Sequence, residues 1–351
     1  MHNRENSKLG SIIIKWYKSH KRDLPWRDTT DAYTIWLSEV ILQQTRVNQG
    51  YGYFVRFMER FPDIKTLASA SEDEVLKLWQ GLGYYSRARN LHAAAKAVVE
   101  KYNGEFPKEY KDVLSLKGVG EYTAAAIVSF AYDQPYPVVD GNVYRVLARI
   151  FAVDEPIDTG RGKKAFNELA SLLLDKDAPG LYNQAIMEFG ALQCVPVSPD
   201  CNRCPANNIC MAYNTGKVSS YPVKLGKQKV RHRYFNYFDI RYKHYTYLNK
   251  RENKDIWENL YEYPLIETPE YMPIEELRNT KEFDSLFSKA GKILIKPVME
   301  KKHVLSHQVI HASFYKVEVE EDNFPGIIKI GNETLDNYPV SRLMHLYIEK
   351  I

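Results

Sequence analysis

Outside one short stretch, this 351-residue chain has no cysteine. Nothing in it approaches the roughly 20-residue apolar run that spans a membrane. Residues 1–10 are polar and lack the apolar segment of a secretory signal. Nor is the charge lopsided, since 48 Lys and Arg face 44 Asp and Glu for a net +4. These absences argue against a membrane-embedded chain and against a secreted scaffold stapled by disulfides. The expectation is a monomer with no membrane partner, cytoplasmic (nucleoid-associated in a bacterium, nuclear in a eukaryote). The length allows two or three domains.

What is present begins with the cysteines themselves. Cys194, Cys201, Cys204 and Cys210 are separated by six, two and five residues. Thiolates held this close by turn-rich links converge on one soft metal centre. Zinc sites usually pair two Cys-x-x-Cys arms, and only Cys201–Cys204 forms one here. A single arm with two outlying cysteines fits an iron–sulfur cluster better, two disulfides being the alternative. Basic residues gather at Lys15–Arg22, at Arg87 and Arg89, at Arg161–Lys164 and at Lys224–Arg233. They suit a polyanion, or else a solvated lysine-rich surface.

From Leu9 to about Tyr213 the pattern is helical, with apolar residues three and four apart in Ile12–Tyr17, Ile35–Val47, Val75–Trp79, Leu91–Val99 and Thr123–Phe130. Further helices are predicted over Val143–Phe151, Lys163–Leu174 and Tyr182–Leu192. Gly81, Gly83, Asn103-Gly104 and Pro107 supply stops. A polar, basic linker follows over 215–233. Beyond it, Tyr234–Tyr247, Lys292–Met299 and Ser313–Glu318 alternate like strands, while Met272–Ala290 reads as helix. The carboxy-terminal part is therefore expected to be a separate α+β domain.

Leu116-Lys117-Gly118-Val119-Gly120 precedes a helix expected to start near Thr123. Two glycines two apart allow backbone angles closed to other residues and let a phosphate approach main-chain amides at a helix start. Such a hairpin grips a nucleic-acid backbone without reading its sequence; a plain structural turn is the alternative.

Leu116–Thr123, Val139-Asp140-Gly141-Asn142-Val143 and the cysteine spacing together resemble the helix-hairpin-helix DNA glycosylases that carry an iron–sulfur cluster. Leu24-Pro25-Trp26-Arg27, Ser38–Thr45 and Gly81–Arg87 look, within that superfamily, like the adenine DNA glycosylases of the MutY type. Those enzymes excise adenine mispaired with 8-oxoguanine or guanine in double-stranded DNA. The resemblance implies a mainly α-helical region over 1–214, with a six-helix barrel over about 28–134 and a cluster subdomain from 1–27 plus 135–214. It also implies a 4Fe-4S cluster on the four cysteines and a Nudix-like α+β domain over 234–351.

Two carboxylates then carry the expected chemistry. Glu39 falls in an apolar arc beside Ile35 and Trp36. Desolvation there should raise its pKa, which suits a general acid for a leaving adenine; the family implies the same role, with protonation at N7. Pairing with a base such as Arg46 is the alternative. Asp140 directly precedes a helix and alone would be an N-cap; a cap fixes the carboxylate's direction. Ionised, it would stabilise the oxocarbenium ion of the sugar or act as nucleophile, with Asn142 orienting it. Tyr122 stands where the strand-cleaving relatives carry a Schiff-base lysine, so excision without efficient strand cleavage is expected. Lys117, Gly118 and Gly120 would face phosphate. By resemblance, Gln44 and Tyr84 act at the duplex once the base is flipped, and Trp26, Arg27 and Gln184 line the adenine pocket. Arg87, Arg145 and Arg149 are read as phosphate contacts or surface charge. Arg203 would be presented to DNA by the cluster loop.

In the carboxy-terminal part, Trp257 and Leu260–Pro264 resemble the strand entering the Nudix fold, but the metal-binding, glutamate-rich helix of active Nudix hydrolases is missing. A binding module is expected. His303-Val304-Leu305-Ser306-His307 matches the family's lesion-sensing loop, with Leu305 where phenylalanine is common, so wedging should survive but stacking be lost. Ser306 and His307 can hydrogen-bond the damaged base. Two other readings compete: a glycosylase with lyase activity toward oxidised pyrimidines, and a mismatch-binding protein without catalysis.

Overall fold

The computed structural model describes residues 2–226, 230–252 and 255–351. The chain divides into two compact units, Met1–Ser69 with Asn90–Gly226, and Ala70–Arg89 with Lys227–Ile351.

The helices run in order α1 (His2–His20), α2 (Ala32–Leu42), α3 (Val47–Arg60), α4 (Ile64–Ser69), α5 (Glu72–Trp79), α6 (Ser86–Tyr102), α7 (Tyr110–Leu114), α8 (Glu121–Tyr132), α9 (Gly141–Phe151), α10 (Gly160–Leu173), α11 (Pro179–Leu192) and α12 (Met211–Asn214). Their starts follow local chemistry: Asp31 caps α2 through the Thr34 N–H at 2.8 Å, Thr159 caps α10, and Pro179 opens α11. In the first unit, α1 packs on α10 and α11, and α9 packs on α11. Leu9, Ile13, Val146, Phe166, Ile186 and Phe189 form part of their shared, fully buried core. Helix α2 packs on α8, and nine of the eleven α2 residues are buried.

The second unit holds α5 and a seven-stranded mixed sheet ordered β3-β2-β1-β6-β5, with β4 also pairing β1 and β7 pairing β2. Its strands are β1 (Arg231–Tyr242), β2 (Tyr245–Lys250), β3 (Tyr261–Glu262), β4 (Leu265–Thr268), β5 (Ile293–Val304), β6 (Gln308–Val319) and β7 (Ile328–Gly331). β1 and β6 run parallel, Arg231 lying opposite Gln308, and the other strand pairs described are antiparallel. Alternation along β1 sends Phe235 and Tyr237 into one core and Phe238 and Ile240 into another. The first core is closed by α15 (Arg342–Ile348) and the second by α14 (Lys281–Phe287).

Three expectations change. Tyr234–Tyr247 is not one strand, because β1 turns into β2 at Lys243, whose φ is +54°. Met272–Ala290 is not one helix: α13 (Ile274–Leu277) ends, and the Thr280 hydroxyl accepts from the Phe283 N–H to start α14 afresh. The linker read as 215–233 is shorter, since β1 begins at Arg231 and Asp158 accepts from the Leu225 and Gly226 amides; its residues 227–229 lie outside the described residues.

Candidate active site and nucleic-acid interface

Glu39 lies on α2 with only 8% of its surface exposed. Tyr122, on α8, donates its hydroxyl to Glu39 Oε2 at 2.6 Å. Burial raises the Glu39 pKa, against that hydrogen bond and the Arg27 charge, which lower it; the nearby Asp140 charge raises it further. Burial and the same two carboxylates hold the Tyr122 hydroxyl far above its ordinary pKa, so it stays a donor. Glu39, Tyr122, Arg27 and Asp140 thus lie within Coulombic reach of one another. The alternative partner for Glu39, Arg46, is not the group that binds it.

Asp140 caps α9. Its Oδ1 accepts from the Asn142 and Val143 amides at 2.9 and 2.7 Å, and its Oδ2 from the Asn142 side chain at 2.8 Å. Burial raises its pKa too, but these hydrogen bonds and the Arg145 charge oppose the rise. Asn142 in turn accepts from Arg145 Nη2 at 2.8 Å, and Arg145 Nε donates to the Cys194 carbonyl at 2.7 Å. Gly190 lets α11 lie close against α9 at Asn142, since a Cβ there would lie 2.9 Å from the Asn142 carbonyl oxygen.

Around these acids, Trp26 is buried against Phe54. Arg27 Nη2 reaches Glu188 at 3.2 Å, while its buried Nη1 has no partner among the described residues. Gln184 accepts from the Tyr17 hydroxyl at 2.8 Å. Arg22 holds Glu188 from its backbone amide, Nε and Nη2 at 3.0, 2.8 and 2.7 Å. Burial works to raise the Glu188 pKa, but Arg22 and Arg27 outweigh it and hold the carboxyl below its ordinary value.

The four cysteines line one cavity together with Arg149, Ile150 and Phe189. Among the described residues, no three His, Cys, Asp or Glu side chains form a group able to hold a single metal ion. Backbone N–H groups of Ala206 face Cys204, and those of Tyr213 and Ala212 face Cys210.

Residues 37–171 match the profile of the HhH-GPD superfamily of base excision DNA repair proteins, and residues 236–350 match the NUDIX domain. An adenine DNA glycosylase of Buchnera aphidicola subsp. Schizaphis graminum is 35% identical over 274 residues, 78% of this chain and 79% of that protein. The chain belongs to the adenine DNA glycosylase family. Another such enzyme, from Mus musculus, is 45% identical over 225 residues, 60% of this chain and 44% of that one. A solved thermostable thymine-DNA glycosylase has a TM-score of 0.57 at 29% identity, covering 61% of this chain and 99% of its own. Endonuclease III in a non-covalent DNA complex gives 0.51 at 21% identity, with 60% of this chain and 97% of its own covered, a likeness of fold alone. As a family member the protein is a DNA glycosylase, a hydrolase of the bond between base and sugar, built as a helical HhH-GPD fold followed by a Nudix-like α+β domain.

Other residues expected of an adenine DNA glycosylase meet mixed outcomes. Lys117, Gly118 and Gly120 are exposed at the start of α8. Gly118 has φ +79°, and a Cβ there would sit 2.6 Å from Asn90 Cβ; Gly120 has φ −97° and open space, so only the first glycine is required by the turn. Gln44 and Tyr84 both hold left-handed backbones, at φ +54° and +47°. Such strain, about 1–3 kcal/mol per residue, gathers at ligand clamps. Tyr84, in the second unit, is 45% exposed, and its hydroxyl shares a hydrogen bond with that of Ser306. Ser306 and His307 are exposed at the tip joining β5 to β6, whereas Leu305 is half-buried, packing onto the sheet core and lining the same cavity as Tyr84, Ser306 and His307.

Two arginines overturn their reading as phosphate contacts or surface charge. Arg145 and Arg149 are 8% and 3% exposed and bind backbone around the cysteine loop. Arg87 lies over the Trp79 and Tyr84 rings and donates to the Gly83 carbonyl at 3.1 Å, with burial lowering its pKa to about 10. It braces the Tyr84 turn. Arg203, by contrast, is exposed as expected. Sequence reasoning missed Tyr17, Arg22 and Glu188. The signal for Glu188 was the one used for Glu39, an acid inside an apolar helical pattern, here between Ile186 and Phe189.

Proposed function

We propose that the protein removes adenine paired with 8-oxoguanine, or with guanine, from double-stranded DNA, acting as a monomer and leaving the strand uncut. The observation that carries this reading is the pair of buried carboxyls with unlike donor sets: one hydroxyl on Glu39, three N–H groups on Asp140. An oxygen that accepts from several N–H groups is stabilised as an anion, whereas Glu39, short of donors, keeps its proton more readily. Glu39 then protonates adenine N7 as the glycosidic bond lengthens. Asp140, fixed by its cap bonds, stabilises the developing oxocarbenium ion or captures it, before water completes hydrolysis. Asn142 directs Asp140, and Tyr122 directs Glu39. Tyr122 carries a phenol and no amine, so it forms no Schiff base. The unpartnered Arg27 Nη1 supplies a donor for the purine edge, beside Trp26 and Gln184. Gln44 and Tyr84 serve the opened duplex, with Lys117, Gly118 and Gly120 on the phosphate backbone; Ser306 and His307 contact the oxidised base.

The cysteine set fits a 4Fe-4S cluster: four thiols on one cavity wall, with backbone N–H groups facing two of them. Cys194, Cys201, Cys204 and Cys210 would hold it. When bound, it would cross-link the loop and would supply no acid or base for hydrolysis.

The test is a duplex with adenine opposite 8-oxoguanine, quenched with or without hot alkali. Strand breaks only after alkali are expected. Breaks without alkali would point to a lyase, and none under either quench to a non-catalytic binder.

A further inference from the structure

We propose that Arg149 tunes the iron–sulfur centre through a guanidinium hydrogen bond to the Cys194 sulfur, setting both its reduction potential and its hold on iron. The inference rests on the cluster assignment above.

Arg149 sits near the end of α9, where sequence alone reads a phosphate contact or a surface charge. The fold buries it instead, at 3% exposure. Its Nη1 lies 3.4 Å from Cys194 Sγ and 2.8 Å from the Val195 carbonyl oxygen. Nη2 donates to the Pro196 carbonyl at 3.0 Å and Nε to the Val218 carbonyl at 3.1 Å. The residue's own carbonyl oxygen is 3.4 Å from Cys210 Sγ. One side chain thus ties both ends of the cysteine loop to α9 and touches a ligand sulfur directly.

The charge balance points the same way. A guanidinium stays cationic in any protein environment, and a buried cation without a counter-charge is expensive. Among the described residues no carboxylate pairs with Arg149; three carbonyl dipoles and a sulfur surround it. Four thiolates on an iron–sulfur core carry net negative charge, which supplies the missing partner. Hydrogen bonds to ligand sulfurs favour the more electron-rich state of such a centre and raise its potential. Arg145 differs, because it reaches the Cys194 carbonyl and not the sulfur.

The experiment uses the full chain, purified anaerobically, with iron and sulfide content measured first. Redox titration followed by electron paramagnetic resonance gives the potential, and transfer of iron to a chelator gives retention. Arg149→Gln should lower the potential and speed iron transfer about tenfold, an outer-shell effect of ordinary size. Arg149→Lys, which keeps the cation and loses the planar fork, should fall between. Arg342→Gln removes an exposed charge from the other unit and should leave both readouts unchanged. A fully loaded Arg149→Gln protein with the wild-type potential overturns the proposal and leaves Arg149 a mere staple. If that variant takes up no iron, loaded Arg149→Lys decides: a lowered potential supports the inference, and an unchanged one sinks it. A wild-type chain without iron and sulfide would overturn the cluster assignment itself.

Discussion

Two buried glutamates, one in each unit, accept a hydrogen bond from a tyrosine and differ in little else but their cations. Glu39 takes the Tyr122 hydroxyl at 2.6 Å; Glu262 takes the Tyr237 hydroxyl at 2.9 Å and also Arg251 Nη1 at 2.7 and 3.0 Å. Burial raises the pKa of both. In the sheet domain, however, Glu262 belongs to a closed ion network: Arg251 also holds Asp255, and Arg233 holds Asp255 and Glu267. Every charge there has a fixed partner, so the network specifies structure. In the helical unit the hydrogen bond on Glu39 comes from the neutral Tyr122 hydroxyl, and the Arg27 charge acts on it without an ion pair among the described residues. Burial pushes both carboxyls up, Glu262 to about 7, so what separates them is the cation fixed on Glu262, which makes it a brace and leaves Glu39 for the acid role proposed above.

Substituting each glutamate by glutamine should separate these roles most sharply. Glu39→Gln should reduce single-turnover excision at least a thousandfold, within the ~10²–10⁴ range of general acid catalysis, while retaining tight binding to the lesion duplex. Glu262→Gln should leave the excision rate of folded protein near wild type and destabilise the chain by about 3 kcal/mol, because Arg251 Nη1 loses the carboxylate it bridges. Retained turnover in the first variant would remove Glu39 from the acid role.

Acidity gives a second separation, and its sign is fixed. The folded-state pKa of Glu39 lies above its unfolded value. Between those two values the native state binds more protons, so this group's contribution falls as pH rises. Glu39→Gln should therefore melt at the wild-type temperature below the ordinary carboxyl range and at or above it near neutrality. The excision rate should decline on the alkaline side as Glu39 loses its proton. A neutral-pH melting temperature well below wild type would show that ionised Glu39 stabilises the fold.

How much of this was legible depended on range. Glu39 could be found because its neighbours Ile35 and Trp36 share its helix face, a pattern contained in one turn or two. The Asp140 cap was equally local. Arg22 and Glu188 are 166 residues apart, and no spacing rule joins them. Arg145 and Arg149 were misread because a basic residue on an amphipathic helix looks solvated until the loop that covers it is known. The turn at Lys243-His244 was hidden because it contains neither Gly, Asn nor Asp, and aromatic–polar alternation resumes straight after it.

The Asp140 side of the site is braced at a distance, and Arg145 tests how much that matters. Its guanidinium donates to the Asn142 side chain and to the Gly190, Gly141 and Cys194 carbonyls. Arg145→Met should free Asn142 and lower kcat about a hundredfold through misdirection of Asp140, with KM moving little. Iron content must be measured alongside, since the Cys194 carbonyl loses its donor as well. A loaded variant with normal kcat would break the link between the brace and the acid pair.

The smallest effect is expected at Leu305, where the family resemblance led to an expectation of phenylalanine. Its side chain packs inward on the core that holds Phe235 and Ile310. An inward position senses volume before it senses DNA. Leu305→Phe should cost about 1–3 kcal/mol of stability by overpacking, and affinity for the 8-oxoguanine duplex should change less than about threefold, under the ~1.4 kcal/mol that a tenfold change requires. Ser306→Ala, at the exposed tip, should weaken lesion binding more than Leu305→Phe alters it. A tenfold gain in lesion affinity from Leu305→Phe, with stability intact, would show that residue 305 turns outward to meet the damaged pair.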